Sequence, residues 1–461
     1  MLGPTHRNTV IVAIAVCVLL TFWLNTGRLQ STSLGAKLSS SISLSPGAST
    51  ASEEHLPAPV ALYFDQVFAE NKGEYDFPGL REHCDRTEWT PERENVYIRC
   101  GNMFAGMTSI MSEMKVCLKM AVEAGTGIIL PTIPLRDSTD LKEFNTEHPE
   151  AFFPYDQWFD EKHLRDGLAR ACPRMKVLHP DSLNQDQADK VTIKNEWEMD
   201  VTKAPGYHFF ASHFWVGNPF STFFDDEFKK LQETSSTAGE GVTVIKIDCI
   251  FLLFRITDDP TGSDLLLWND LAILMRFLEK PRKIVHNLLE QLNQPFYGVH
   301  FRVENDTVWG SLESQLALDL DALDKAYSMY QHDVGIGSKK PMVYVACGDE
   351  SQMKAFIEGG KARGWDVTHK WDLARQISDP ETVKMIDELA FDFQGAVDMG
   401  MMIQSHFFIG ISGSAMSNTI AHARDVTGRY RGSSLREKID DMGARSYLVH
   451  DGQASSYPCC L

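Results

Sequence analysis

Positive charge is scarce in this chain: 44 Lys and Arg stand against 63 Asp and Glu, a net charge of −19. No basic stretch runs through it to neutralise a phosphate backbone, which excludes nucleic acid as a partner; any cations at a site must be few and placed. Cysteine is thin as well. Its nine residues contain no two CxxC pairs, so a structural zinc site is excluded, while scattered disulfides are allowed but cannot be assigned from spacing. Internal repeats are missing, and at 461 residues the chain is too long for one small core. A length of this order fits roughly two or three domains.

Long apolar runs are nearly absent too. The exception is Thr9 to Leu24, which follows Arg7 and ends before Asn25, Thr26, Gly27 and Arg28. Its 16 residues lie near the lower limit for crossing a bilayer. The small-x-small exit of a cleaved signal peptide is replaced by Phe22-Trp23-Leu24, so the run reads as an uncleaved signal anchor (9–24) behind a short cytoplasmic tail (1–8). A short span suits the thin membranes of the early secretory pathway, endoplasmic reticulum or Golgi. From 25 to 60 the chain is dominated by Ser, Thr, Ala, Gly and Pro, which cannot bury enough surface to order itself and reads as a disordered stem.

Beyond the stem, two α/β patterns follow one another, placed at 61–292 and 293–461. In the first, Gly101-Asn102 leads into a helix with Phe104, Met107, Met111, Met114, Leu118 and Ala121 on one face, ending near Gly125. A methionine stripe of this kind is core. Strands are expected at Ile128 to Leu130, before Pro131, and at Val242 to Ile247; helical patterning runs from Asp264 to Leu292, interrupted at Pro281. The second pattern alternates strand Pro295–Phe301, helix 311–331, strand Met342–Ala346, helix 351–363, helix 383–404, strand His406–Gly410 and a short helix opening at Ser412-Gly413-Ser414. Such alternation means mainly parallel sheets with helices on both faces.

The chemistry concentrates where the strand from Pro295 ends, at His300-Phe-Arg302-Val-Glu304-Asn-Asp306. Ligands of open α/β sheets bind beyond the carboxyl ends of strands, and an arginine fork there suits a pyrophosphate. Arg302 would stabilise the charge that builds on a departing diphosphate, or else pair with Glu304. His300 is either a donor to phosphate or a satisfied core histidine. Glu304 and Asp306 either supply a base for an incoming hydroxyl or orient Arg302. Ser414-Ala415-Met416-Ser417 opens a helix where small residues admit a phosphate to backbone N–H groups. Asp319-Leu320-Asp321 has the spacing of a metal-holding Asp-x-Asp pair, but it falls in a helical pattern and is expected to be a solvated face. Asn305-Asp306-Thr307 is a glycosylation sequon, expected to stay unmodified if its neighbours form the site.

Taken in order, three blocks resemble the GDP-fucose protein O-fucosyltransferase family, including its plant O-fucosyltransferase-like branch. They are Gly101-Asn102 with the following helix and Ile128-Ile-Leu-Pro131; the His300 to Asp306 block; and Met385 to Arg424, with Asp392, Ser405-His-Phe-Phe408 and Gly413 to Ala421. Val343 to Asp349 looks like the strand before a nucleotide-contacting loop. The resemblance implies a GT-B-like fold, two Rossmann-like domains facing a cleft. It further implies inverting transfer of fucose from GDP-fucose to a protein or glycan acceptor without an obligatory metal, and a single-pass type II membrane location. Carried onto this chain, His300 and Arg302 would face the β-phosphate, Asn102 would reach in from the N-terminal domain, and Asp349 with Ser414, Ala415, Met416 and Ser417 would hold the nucleotide. Ala415-Met416 departs from the hydroxyl and aromatic of that family, and Met103 from its Gln. A donor such as UDP-rhamnose, or a non-catalytic GT-B-like binding module, is the alternative.

Overall fold

The computed structural model describes residues 58–70, 73–136, 151–183, 190–205, 207–210, 212–216, 220–234, 240–250, 252–255, 261–303, 311–333, 335–378, 380–424 and 445–450. The expected anchor, the stem up to 57, the sequon, and Glu304 and Asp306 lie outside these residues; 58–60, placed at the end of the stem, open a helix instead. No helix among the described residues is long and apolar enough to cross a membrane.

Helices α1 (Ala58–Val67) and α2 (Pro78–Arg86) precede strand β1 (Val96–Gly101). Helix α3 (Met107–Ala124) follows, and Gly125 ends it in the left-handed region at φ 62, where a Cβ would lie 2.4 Å from the Glu88 carbonyl oxygen. Met107, Met111 and Met114 are all buried, as the apolar spacing predicts. After β2 (Gly127–Ile129), strands β3 (Thr132–Pro134) and β4 (Phe152–Pro154) pair antiparallel. Then come α4 (Glu161–Ala171), β5 (Val177–Leu178), β6 (Ile193–Glu198), β7 (Tyr207–Phe210), β8 (Ser212–Val216), α5 (Phe220–Thr234), β9 (Val242–Asp248) and β10 (Leu253–Arg255). Five of these strands form a wholly parallel sheet in the order β5-β2-β1-β9-β6. Ile98, Ile128 and Ile245 fill its centre without exposure, the near-continuous apolar content that a sheet covered on both faces requires.

Helices α6 (Ser263–Ile273) and α7 (Glu279–Leu292) lead to the second sheet. The break between them falls at 274–278 rather than at Pro281, which sits in the first turn of α7, where a helix has no use for the missing N–H. The remaining elements are β11 (Phe296–His300), α8 (Leu312–Tyr330), β12 (Met342–Ala346), α9 (Glu350–Ala362), β13 (Val367–Thr368), α10 (Lys370–Gln376), α11 (Glu381–Asp387), α12 (Phe391–Ile403), β14 (Phe407–Ile411), α13 (Ala415–Arg424) and β15 (Ser446–Val449). Their five strands are parallel, in the order β13-β12-β11-β14-β15. The continuous helix expected over 383–404 is two helices. Ala390 is extended at ψ 156, and the Gln394 side chain bridges the break by donating to the Ile386 and Leu389 carbonyls.

The expectation of α/β architecture with parallel sheets therefore holds. Two disulfides appear that spacing could not assign: Cys84–Cys172, from α2 to the end of α4, and Cys100–Cys117, from β1 to α3. The reading of Asp319 and Asp321 as one solvated face is corrected. Residues two apart on a helix point about 200° apart. Asp321 pairs with Arg363 at the surface, whereas Asp319 is fully buried, its carboxyl oxygens making no hydrogen bond and its pKa driven well up by that burial. Leu318 takes the solvent side at 37% exposure.

Candidate functional site

Strand β11 is central, between β12 and β14, and since all three are parallel their carboxyl ends share one edge. His300 ends β11 there, opposite Ala346. Its ring is 4% exposed, and Nδ1 lies 2.7 Å from Ser417 Oγ in the first turn of α13. Ser417 Oγ also accepts from Ile411 N at 3.0 Å, at the end of β14. That geometry needs Gly410, where a Cβ would come within 2.6 Å of Ser417 Oγ. Ser417 is completely buried, and its hydroxyl proton has the His300 nitrogen as its described acceptor, which puts the ring proton on Nε2. Burial first and the neighbouring Arg302 second lower the His300 pKa to about 3, so the ring is neutral at physiological pH. His300 is thus the satisfied buried histidine that its sequence allowed, with a neutral ring.

Ser414 caps α13, its Oγ accepting from Ser417 N at 3.4 Å, while Asn418 Nδ2 holds the turn by donating to Ser412 O and Ser414 O. Ala415 and Met416 open the helix, and Met416 packs against the large apolar core. Arg302 stands two residues beyond β11, half-buried. Gln315, in the first turn of α8, turns its carboxamide to the Arg302 peptide, donating to its O and accepting from its N, both at 2.9 Å. Nothing in the spacing of the sequence marks Gln315 for this role; the contact exists only once α8 returns over the strand end.

Other predicted residues are placed differently. Asp349 caps α9, Oδ1 accepting from Gln352 N at 2.8 Å and Ser351 Oγ at 2.6 Å; these bonds, the Ser351 hydroxyl foremost, hold its carboxyl below the usual range. It stays exposed just past the end of β12. Asp392 is buried and committed: Arg136 Nη2 donates to it at 2.8 Å and Met107 N at 3.3 Å. It ties the start of α3 and the segment after β3 to α12. Asn102 is an exposed left-handed turn residue (φ 58) between β1 and α3. The structure therefore joins His300, Ser414 and Ser417 in one bonded chain with the Arg302 peptide nearby, and sets Asp349 and Asp392 in capping and bridging roles.

A second buried network supports this edge from behind. Lys370 Nζ donates to Asp398 Oδ2 at 2.6 Å and Tyr344 Oη to Asp398 Oδ1 at 2.5 Å; the Asp398 charge also acts on His300. Among the described residues, two clusters could meet a cation: His83 with Glu123 and Asp264, and Asp156 with Glu161 and His179. Lys119 already bonds both carboxylates of the first, and Arg165 bonds Glu161 of the second at 2.6 Å.

No family model and no curated protein matches the chain. Among solved structures it is similar to POFUT1 in complex with GDP-fucose, at 12% identity over 78% of this chain and 99% of that one, with a TM-score of 0.42. It is similar also to NodZ alpha-1,6-fucosyltransferase soaked with GDP-fucose (13% identity, 72% and 91% covered, TM-score 0.36) and to fucosyltransferase NodZ from Bradyrhizobium (12%, 72% and 92%, TM-score 0.35). TM-scores below 0.5 are too low to establish a common fold.

Proposed function

We propose that the chain is an inverting glycosyltransferase that moves fucose from GDP-fucose to a hydroxyl of a protein or glycan acceptor. The observation that carries this reading is the His300–Ser417 hydrogen bond, which spans neighbouring strands β11 and β14 at their carboxyl ends. Strand order reverses there, and open α/β sheets hold nucleotides outside the carboxyl ends at such a switch point. The first-turn N–H groups of α13, the neutral His300 Nε2–H and the Arg302 guanidinium offer donors suited to a diphosphate. The resemblance of the three sequence blocks supplies the donor: GDP-fucose rather than another nucleotide sugar.

In the reaction, the acceptor oxygen forms a bond to the sugar C1 from the face opposite the diphosphate, and the C1–oxygen bond to the β-phosphate breaks with its electron pair leaving on GDP. Arg302 and the α13 N-terminus stabilise that charge as it develops. The acceptor proton passes to Glu304 or Asp306, or to the departing phosphate. Asn102 approaches from the N-terminal half, and Asp349 turns its second oxygen to the nucleoside. No metal enters this scheme. The two disulfides favour an oxidising compartment, in keeping with a type II protein of the endoplasmic reticulum or Golgi held by 9–24.

The test is thermal stability of the full chain in detergent with GDP, UDP and their sugar conjugates. GDP at a hundredfold excess over its Kd should add about 2.7 kcal/mol. Arg302→Ala should abolish that gain and lower fucose transfer at least about a hundredfold, by analogy with loss of one transition-state donor. Stabilisation by UDP ligands alone would overturn the donor, and silence with every nucleotide would overturn the enzyme.

A further inference from the structure

The hydrogen-bonded ladder of β11 runs on past His300 on one side. Phe301 still donates to Ala346 O of β12 at 2.9 Å. Successive residues of a strand turn their N–H and C=O to opposite sides, so those of Arg302 face the other neighbour, β14. The last groups of β14 are engaged elsewhere: Ile411 N donates to Ser417 Oγ, Ile411 O accepts from Ser414 N at 3.1 Å, and Ser412 N donates to Val449 O at 2.9 Å. The place of a further β14 residue is taken by Gln315. Its carboxamide carries the same donor and acceptor as a peptide and meets both groups of Arg302 at 2.9 Å.

The base from which Gln315 acts is firm. Its side chain is 5% exposed, and α8 is seated by Leu320 and Leu323 in the same core as Phe301. Ser311 caps the helix, Oγ accepting from Ser314 N and O from Gln315 N, both at 3.1 Å. One turn on, burial keeps the Asp319 carboxyl uncharged, so no carboxylate there draws the Gln315 amide away from Arg302.

Side chains alternate along the strand end as well. His300 points to α13, where it meets Ser417, and Phe301 points to the other face, its ring 5.3 Å from that of Phe356 on α9. One more step of that alternation sends the Arg302 side chain out beside His300. We propose that Gln315 is a positioning residue for Arg302: by continuing the β11 ladder through residue 302, it commits the guanidinium to the His300 side of the strand end, where the first turn of α13 lies. This role rests on the nucleotide reading given above, and Gln315 acts through Arg302 rather than on the substrate.

Calorimetric titration of the full chain in detergent with GDP, on the unaltered protein, Gln315→Met, Arg302→Lys and the double variant, tests this. Gln315→Met keeps the volume and removes both bonds; it should weaken GDP at least about tenfold and slow fucose transfer about a hundredfold, the cost of a displacement near 1 Å. Lysine is a point charge on a flexible stem, little affected by the direction of its peptide. Beside Arg302→Lys, therefore, Gln315→Met should change GDP affinity less than about twofold, whereas a merely structural role would cost the same in both backgrounds. Asp319→Leu, which repacks α8 one turn away, should bind GDP as the unaltered protein does. Should Gln315→Met fail to fold, Gln315→Glu replaces it: it keeps the bond from Arg302 N, loses the one to Arg302 O, and should show a smaller loss that again vanishes beside Arg302→Lys. Without nucleotide, the Arg302 N–H should exchange faster with solvent in Gln315→Met than in the unaltered protein. Equal losses in both backgrounds, an equal loss in Asp319→Leu, or unchanged exchange at Arg302 would each overturn the role of Gln315 and leave the nucleotide site standing. No GDP binding by the unaltered protein would overturn that site, and this role with it.

Discussion

The two parallel sheets are alike in size and differ in the order of their last strands. Numbered along the chain within each half, the C-terminal sheet reads 3-2-1-4-5 and the N-terminal sheet 3-2-1-5-4, because β9 inserts between β1 and β6. Both put their first strand at the centre. Only the C-terminal half, however, places at the reversal point a strand that ends in a histidine bonded to the helix after the neighbouring strand, α13. At the matching place in the N-terminal half stand Gly101, opposite Asp248, and the exposed turn at Asn102. The means of holding the halves together differ as well. Two disulfides staple the N-terminal half, whereas buried polar networks around Asp398, Arg424 and His300 secure the C-terminal one. A diphosphate site asks for fixed donors, and networks of fixed donors are what the second half contains.

That contrast can be broken experimentally. The largest effect should come from Cys84→Ser with Cys172→Ser, which opens a link spanning 88 residues and should cost about 4 kcal/mol in denaturant unfolding. No comparable effect of reductant is expected from the C-terminal half, whose described cysteine, Cys347, is a free buried thiol. Next is Arg424→Met. This arginine donates to the carbonyls of Met402, Ile403, Ser405 and Arg445, ending α12, and burial lowers its pKa to about 9. Leaving those carbonyls unpaired should cost about 3 kcal/mol.

A third, smaller effect depends on pH. The unfolded chain protonates His300 below about 6.5 and the folded one only below about 3, so the unfolded state binds more protons in that window and stability falls as pH falls. At pH 5 the cost relative to pH 7 should be about 2 kcal/mol, absent from His300→Gln. Subtracting the two proteins' pH profiles isolates it from His83, His369 and His406, whose pKa values burial also lowers. Smallest is Asp349→Ala, which removes the α9 cap and should cost about 1 kcal/mol; nucleotide affinity falling along with stability would show that its second oxygen is used.

Much of the C-terminal half is legible in the sequence because its signals are local. Apolar runs bounded by polar ones give β11, β12 and β14, and Ser412-Gly413-Ser414 marks the opening of α13. Failures occur where distant groups decide. Asp392 looks like a site residue until Arg136, 256 positions away, is found bonded to it. Asp319 looks solvated because its neighbours alternate, and only the return of α8 onto the sheet buries it. The helix breaks at 274–278 and 388–390 carry no proline or glycine to announce them, and the pairings of Cys84 and Cys100 depend on which strands and helices meet.

Strand β1 has a partner on either side, β2 close in sequence and β9 far from it, with Val96 opposite Thr243 and Gly101 opposite Asp248. During synthesis, then, the N-terminal sheet cannot close when its own first strands emerge. It must keep an unpaired edge of Val96, Ile98 and Cys100 until residue 248 has left the ribosome. The second sheet likewise leaves one edge of β11 open until β14 emerges, but in its 3-2-1-4-5 order every new strand finds its partner already made, whereas β6 of the first sheet must wait for β9. The interval before β9 arrives is therefore when this chain is most open to wrong strand pairing, and when a folding assistant would have most to shield.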